Sequence, residues 1–180
     1  MSDMTPLRAS LATPRLTLRP PRGDDAEVVA RHLQDWEIVR WLARLPHPYS
    51  LEHAQAWISW TMESDELSLA ICKEDRLIGA IGLRPPLATP FLGYWLARPY
   101  WGQGLASEAA HALVAHAFAL LEVERILSGY FADNAASGRV LAKLGFTPTG
   151  SSMKLSLAQG KEVAHIDMAL RRAPFEGLTP

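Results

Sequence analysis

The chain has 180 residues, of which 48% are hydrophobic, which is enough to bury one substantial core and short for two. Its formal net charge of −1, with lysine and arginine scattered, provides no basic patch, so no nucleic-acid partner is expected. A single cysteine, Cys72, excludes a disulfide framework and a thiolate metal cluster, and no metal is assigned. No apolar run approaches the roughly 20 residues that span a bilayer, and no signal pattern is seen. We expect a cytoplasmic protein without a membrane partner, with one domain over residues 1–180 and its core at about 13–171.

The first third of the chain predicts one strand followed by helices. Leucines alternate with polar residues over Thr13–Arg19, which is the pattern of a half-buried strand. Asp24 or Asp25 suits the N-cap of a first helix, and a second short helical stretch covers 36–42. Ser50 suits the start of a third helix, after prolines that interrupt the pattern.

The rest of the chain alternates between strands and helices. The predicted strands are a hairpin from Leu67 to Leu83 with its turn at 74–76, then 91–96, 125–131, about 147–157 and about 162–170. The predicted helices are Leu105–Glu122, which carries an apolar stripe, and a helix that Asn134 caps, running to Leu144 with Gly145 at its C-cap.

Two closely spaced glycines, Gly102 and Gly104, end where the longer of these helices begins. Glycines let successive backbone N–H groups turn toward one anion, and the first turn of a helix adds unpaired donors. The loop therefore suits a pyrophosphate, although an ordinary glycine loop that caps a helix has the same spacing. It follows the predicted fourth strand instead of the first, and it lacks the Lys-Ser/Thr of a Walker loop. It matches neither a Rossmann domain nor a nucleotide hydrolase.

Four segments, in chain order, carry a family resemblance. They are Thr13-Pro14-Arg15-Leu16-Thr17-Leu18-Arg19, Gly93-Tyr94-Trp95-Leu96, Trp101-Gly102-Gln103-Gly104-Leu105-Ala106-Ser107-Glu108-Ala109, and Asn134-Ala135-Ala136-Ser137 leading into Leu141-Ala142-Lys143-Leu144-Gly145-Phe146. Together they resemble the GNAT superfamily of acyl-CoA-dependent N-acetyltransferases, most closely its Rim-type branch of ribosomal-protein N-terminal acetyltransferases. The resemblance implies an α/β fold of the α+β type. Its central mixed, mostly antiparallel sheet would have six to seven strands flanked by helices, with a V-shaped opening between the fourth and fifth strands.

The resemblance also implies how acetyl-CoA, the co-substrate, binds. Backbone N–H groups over Gly102–Ser107 would hold the pyrophosphate, and the strand ending at Leu96 would pair with the pantetheine arm. The backbone N–H of Leu96 would stabilise negative charge on the thioester oxygen. Trp101 stands where most of the superfamily has Arg or Gln, a replacement familiar in the Rim-type branch. The implied cofactor-binding residues are Tyr94, Trp95, Leu96, Trp101, Gly102, Gln103, Gly104, Leu105, Ala106, Ser107, Asn134 and Ser137.

The sequence identifies the residues for proton transfer less clearly than those for cofactor binding. Many superfamily members protonate the departing thiolate with a Tyr seven residues after the Asn, but that position here is Leu141, and the Rim-type resemblance nominates Ser137 instead. Ser137 could equally serve only to satisfy a helix N-terminus, and Asn134 suits an N-cap, a pantetheine contact or both. Glu108 in the first turn of the long helix is explained by the helix dipole. No general base stands out among the polar candidates for the acceptor side, which are Asp133, Glu162 and His165.

The absence of an evident base bears on the acceptor. An α-amine with a pKa near 8 is neutral more often than a lysine near 10.4, a gap of roughly 2.5 units or about 3.4 kcal/mol. The prediction is acetyl transfer from acetyl-CoA to a primary amine, a protein or peptide N-terminal α-amine. The alternatives are a small-molecule acetyltransferase for an antibiotic, polyamine or amino acid, and a non-catalytic acyl-CoA-binding module. Trp36 and Tyr49 are candidates to line an acceptor pocket, with core packing as the alternative for both. A homodimer is also left open.

Overall fold

The computed structural model describes residues 6–176, which build one eight-stranded sheet with helices on both faces. The strands are β1 Leu11–Ala12, β2 Thr17–Arg19, β3 Leu67–Lys73, β4 Arg76–Arg84, β5 Phe91–Leu96, β6 Arg125–Phe131, β7 Thr147–Ser156 and β8 Lys161–Arg171. Their spatial order is β1-β2-β3-β4-β5-β6-β8-β7, and only the β5–β6 pair is parallel. This confirms the predicted α/β fold class with a mixed, mostly antiparallel sheet.

The beginning of the sheet differs from the prediction. The strand expected over Thr13–Arg19 is limited to β2, and β1 is an additional strand that raises the count to eight. Between them the chain turns: the Thr13 N–H donates to the Leu16 carbonyl at 2.9 Å, and the Leu16 N–H donates to the Thr13 hydroxyl at 2.9 Å. A two-residue strand is too short for a period-two pattern to reveal.

The described part of the chain contains six α-helices: α1 Ala26–Leu33, α2 Trp36–Val39, α3 Leu51–Glu63, α4 Leu105–Leu120, α5 Ala135–Lys143 and α6 Arg172–Glu176. The predicted caps hold at two of them, since Ser50 accepts from the His53 N–H at 3.3 Å and Gly145 has a left-handed φ of 88°. Helix α4 ends earlier than predicted, and Arg172 donates to the carbonyls of Phe118 and Leu121 at that end. No helix within residues 6–176 is long and apolar enough to cross a bilayer.

The two faces of the sheet carry separate hydrophobic clusters. One cluster, under α4 and α5, includes Leu92 and Leu96 of β5; we call this side the α4 face. The other, under α1 and α3, has Trp95 packed against it; we call this side the α1 face. Because side chains alternate along a strand, even-numbered residues of β5 point to the α4 face and odd-numbered ones to the α1 face.

Candidate active site

The sheet opens between β5 and β6. These two strands share a single register pair, Phe91 with Leu127, supported by a 2.8 Å hydrogen bond from the Leu127 N–H to the Pro90 carbonyl. Just beyond it, the buried Ser128 hydroxyl donates to the Leu92 carbonyl at 3.0 Å. No further β5–β6 pair follows, so the strands diverge into a V-shaped gap. The opening lies between the strands predicted as fourth and fifth, which are β5 and β6 once β1 is counted.

The main chain of β5 turns its free groups toward this gap. The Ala97 N–H donates to the Ile78 carbonyl of β4 at 2.7 Å, and Leu96 is opposite Gly79. Backbone groups in an antiparallel ladder alternate in direction, so the Leu96 N–H points away from β4 and into the gap. This is the group predicted to stabilise a thioester oxyanion, and its own side chain is buried on the α4 face.

The glycine loop lies beside the same gap, at the start of α4. Gly102 and Gly104 have φ values of 73° and 76°, in the left-handed region that favours glycine. A Cβ at Gly102 would meet nothing within 4 Å, and one at Gly104 would approach only the Arg15 guanidinium, at 3.6 Å. Within residues 6–176, no N–H over Gly102–Ser107 donates a hydrogen bond, so successive amides are free at an exposed surface.

Side chains of the loop hold it in place. The Trp101 indole N–H donates to the Leu96 carbonyl at 2.7 Å, and the Gln103 amide donates to the Pro99 carbonyl at 2.9 Å. Arg15 also donates to the Gln103 carbonyl, at 2.9 Å. These contacts leave the loop's main-chain amides, and not the Trp101 or Gln103 side chains, as its donors for an anion.

Glu108 ties the Thr13–Leu16 turn to the first turn of α4. One carboxylate oxygen accepts from the Thr13 hydroxyl at 2.6 Å and the Arg15 N–H at 2.9 Å, and the other accepts from the Arg15 guanidinium at 2.6 Å. Burial opposes ionisation of Glu108, but these hydrogen bonds outweigh it and hold its pKa below the usual range. The sequence does not reveal this contact, because it joins residues more than 90 positions apart.

Two hydroxyl groups meet where α5 approaches β5. The Tyr94 hydroxyl lies 2.9 Å from the Ser137 hydroxyl, and either can donate. Asn134 caps α5 by accepting from the Ser137 N–H at 3.2 Å, as predicted for an N-cap. Burial raises the pKa of Tyr94 to about 12 despite its hydrogen bond with Ser137, so the phenol stays protonated at neutral pH. The predicted proton donor therefore has a second hydroxyl beside it, a contact that the sequence does not reveal.

One segment, residues 35–43, which we call the bridging segment, lies on the side of the gap predicted to receive the acceptor. At one end Asp35 forms a 3.1 Å ion pair with Arg98, which follows β5. At the other end the carbonyls of Arg40 and Ala43 accept hydrogen bonds from the turn between β7 and β8, at 2.8 Å and 3.0 Å. The segment thus crosses from the end of β5 to the β7–β8 hairpin.

The predicted acceptor-side residues are spread apart. Trp36 begins the bridging segment's helix and is 39% exposed, with its ring against His47. Tyr49 is only 3% exposed and packs in the cluster under α1 and α3, where burial raises its pKa to about 12. An acceptor contact for either residue stays a prediction. Among the polar candidates, Asp133 and Glu162 are exposed, whereas His165 is buried on β8.

A sheet split beside a helix whose first turn offers free main-chain amides suits an extended ligand that carries a phosphate group. This is the site that the resemblance to acyl-CoA-dependent acetyltransferases implies. The acetyltransferase (GNAT) domain model matches residues 15–147. The chain therefore belongs to the GNAT family and is an acetyl-CoA-dependent N-acetyltransferase.

Three comparisons illustrate the relationship. The N-acetyltransferase p20 of Bacillus licheniformis is 27% identical over 93% of this chain and 99% of its own length. The ribosomal-protein-serine acetyltransferase of Escherichia coli is 37% identical over 44% of this chain and 46% of its own length. Among solved structures, the microcin C7 self-immunity acetyltransferase MccE, in complex with acetyl-CoA and AMP, matches with a TM-score of 0.77. At 18% identity over 89% of this chain and 94% of that one, the last comparison concerns the fold alone.

Proposed function

We propose that this enzyme acetylates the α-amine of a protein or peptide N-terminus. The binding of acetyl-CoA rests on one observation. The main-chain N–H groups over Gly102–Ser107 donate no hydrogen bond within residues 6–176 and lie open to solvent beside the β5–β6 gap. A diphosphate satisfies several such donors at once, and the positive end of the α4 dipole adds to the attraction. The pantetheine arm then runs along β5, where its amide groups accept and donate main-chain hydrogen bonds as an added strand would.

The chemical step needs three groups in this arrangement. The Leu96 N–H stabilises the charge that develops on the thioester oxygen as the amine attacks. The C–N bond forms, the C–S bond breaks, the amine nitrogen gives up one proton, and the departing thiolate takes a proton from the Ser137 hydroxyl. The Tyr94 hydroxyl, 2.9 Å away, donates to Ser137 and so stabilises the oxygen that has lost its proton.

The preference for an α-amine rests on proton affinity. A lysine must lose a proton held about 3.4 kcal/mol more tightly than that of an α-ammonium group at the same pH. Glu108, the carboxylate in the first turn of α4, is not available to activate a lysine, since it is already occupied by Thr13 and Arg15. The name of the Escherichia coli relative, a ribosomal-protein-serine acetyltransferase, is consistent with a protein terminus as the acceptor.

One observation favours a second candidate, acetylation of a small-molecule amine. The bridging segment is hydrogen-bonded at 2.8 Å and 3.0 Å to the β7–β8 turn, so it closes part of the acceptor side. A closed pocket admits metabolites more readily than a polypeptide terminus. MccE, which shares the fold at 18% identity, is named a microcin C7 self-immunity acetyltransferase and not a ribosomal-protein acetyltransferase.

Acceptor scope distinguishes the two candidates. Thiol release from acetyl-CoA is followed with the purified protein, with hydrolysis subtracted, over peptides that begin with Ala or Ser, a polyamine and free amino acids. The matched control is the same peptide with an acetylated N-terminus and one internal lysine. We expect turnover of the free peptide termini and little with the control peptide. Equal turnover of both peptides would contradict the α-amine proposal, and turnover of polyamines or amino acids alone would select the second candidate.

A further inference from the structure

His165 lies at the gap on the face opposite Ser137. It pairs with Phe131 of β6, and its ring lies across Gly129: a Cβ at Gly129 would be 2.2 Å from its Cε1 atom and 2.8 Å from Nε2. Residues 127, 129 and 131 alternate with Ile126 and Tyr130, which pack in the cluster under α4. The imidazole is therefore on the α1 face of β6, the strand that borders the gap.

The space next to this ring is open. Counting two residues along each strand from the Phe91–Leu127 pair brings Gly93 of β5 level with Gly129 of β6. A Cβ at Gly93 would meet nothing within 4 Å. Two glycines thus leave the α1 face of the gap without side chains at one level, and the His165 ring covers the β6 side of it. By the same count Phe131, the strand partner of His165, is level with Trp95, one residue before Leu96, so the imidazole borders the α1 face of the gap close to the level of the Leu96 N–H.

Asp167 fixes the orientation of the imidazole. Its Oδ1 lies 3.0 Å from Nδ1 of His165 and also accepts from the Ser152 hydroxyl at 3.1 Å. A carboxylate only accepts, so Nδ1 carries the proton and Nε2 holds the lone pair. Nε2 has no hydrogen-bond partner within residues 6–176, and no side-chain nitrogen there is both buried and unpaired. Nε2 therefore remains accessible, with its lone pair free.

The surroundings keep this imidazole neutral. Burial lowers the pKa of His165, and the positive charges of Lys154 on β7 and Arg84 on β4 lower it further. The Asp167 carboxylate opposes both effects without reversing them. At neutral pH the group is therefore in the form that accepts a proton.

We propose that His165 is the general base of the reaction and that Asp167 is its positioning residue. This inference rests on the proposed acetyl transfer. The amine nitrogen bonds to the thioester carbon and gives its proton to Nε2 of His165, while the thiolate receives the proton of Ser137. The two protons thus leave and arrive on opposite faces of the sheet. The imidazolium then releases its proton to solvent, and the Ser137 oxygen takes one up from solvent, which restores the enzyme. A histidine discriminates further against lysine, whose ammonium lies about 4 pKa units above an ordinary imidazole.

The test is the pH dependence of kcat for His165→Gln, with a peptide bearing an N-terminal Ala or Ser as acceptor. Glutamine keeps a donor for Asp167 and roughly the same size, and coenzyme A affinity and melting temperature check that the variant folds. We expect kcat at pH 7 to fall about 100-fold. The deficit should shrink at least about tenfold by pH 9, because hydroxide, about 100-fold more concentrated than at pH 7, can take the proton of the attacking amine in place of the missing imidazole.

Two further variants sharpen the result. Asp167→Asn should give a smaller, roughly tenfold loss, because the base remains but loses its orientation. His116→Asn, on α4, where the ring is hydrogen-bonded to the Pro6 carbonyl at 3.1 Å, is the matched control and should behave as the wild type. A His165→Gln enzyme with unchanged kcat, or with a loss that stays constant from pH 6.5 to 9, would overturn the inference. If the wild type itself turned over no amine, the proposed function would fall instead.

Discussion

At the scale of single residues, the hydroxyl pair is the feature most directly tied to chemistry. Ser137 has an N–H bound by Asn134 and a hydroxyl beside Tyr94, so its position is fixed from two sides. The Tyr94 phenol is buried and stays protonated, with its pKa raised to about 12. It can therefore donate to Ser137 throughout the neutral range.

Replacing each hydroxyl separately tests this arrangement. Ser137→Ala should lower kcat by roughly ten- to a hundredfold, because the thiolate loses its proton donor. Tyr94→Phe should lower kcat less, about fivefold, the effect of one hydrogen bond near 1 kcal/mol. Coenzyme A affinity, measured by calorimetry, should stay nearly intact in both. Wild-type turnover by Ser137→Ala would leave the residue with a helix-capping role only.

The conformation of Gly104 leads to a second prediction. Valine at this position would force a branched side chain into a left-handed backbone and into the open anion site, so coenzyme A binding should fall below detection in calorimetry. Gly160→Val is the matched control, since Gly160 has a φ of 63° and free space in the β7–β8 turn. It should lose comparable stability and bind normally. Similar affinities for the wild type and Gly104→Val would contradict the anion site.

Residue-level features differed in how far the sequence predicts them. The glycine loop and the cap at Asn134 depend on neighbours in the chain, so their spacing was informative. The partners Tyr94 and Asp167 depend on cross-strand register and on helix placement, which one sequence does not reveal. The i, i+2 spacing of His165 and Asp167 on one strand was the available signal, but only Gly129 opposite them shows that the ring faces the gap.

At the scale of elements, the Thr13–Leu16 turn and α4 are joined through one carboxylate. Periodicity predicted a strand across this turn, whereas Pro14 and the Thr13 side chain break it, leaving Glu108 to anchor it. Helices and long strands were predictable because they repeat locally. A hydrogen-bonded contact between elements that are distant in the sequence follows no repeating pattern, so the sequence does not predict it.

Removing that tie should cost stability. Glu108→Ala leaves the hydrogen-bond donors of Thr13 and Arg15 without their acceptor, so we expect the free energy of unfolding to fall by about 1–3 kcal/mol. Glu63→Ala, at the exposed end of α3, is the control and should change it by less than about 0.5 kcal/mol. Urea denaturation of both variants measures the difference. Matching midpoints would mean that the turn is held by other contacts.

At the scale of the whole molecule, the divergence of β5 and β6 divides the sheet into two parts, β1–β5 and β6–β8, that share one register pair. The family resemblance predicted this opening correctly. Composition and periodicity alone would have allowed a continuous sheet, because both strands are apolar enough to pair along their full length. The bridging segment was not predicted, since its anchors are backbone carbonyls that carry no residue-type signal.

An incompletely joined sheet has a mechanical consequence. A ligand bound in the gap contacts both parts of the sheet and stabilises the folded protein. The ligand-free protein should therefore have a lower melting temperature than the complex. Coenzyme A at 100 times its Kd should add about 2.7 kcal/mol, or roughly 5–10 °C in melting temperature. Scanning calorimetry with and without ligand measures this, and an unchanged transition would mean that the gap is not filled. If the bound ligand stabilises the sheet in this way, the enzyme's resistance to proteases rises and falls with the supply of its own acyl donor.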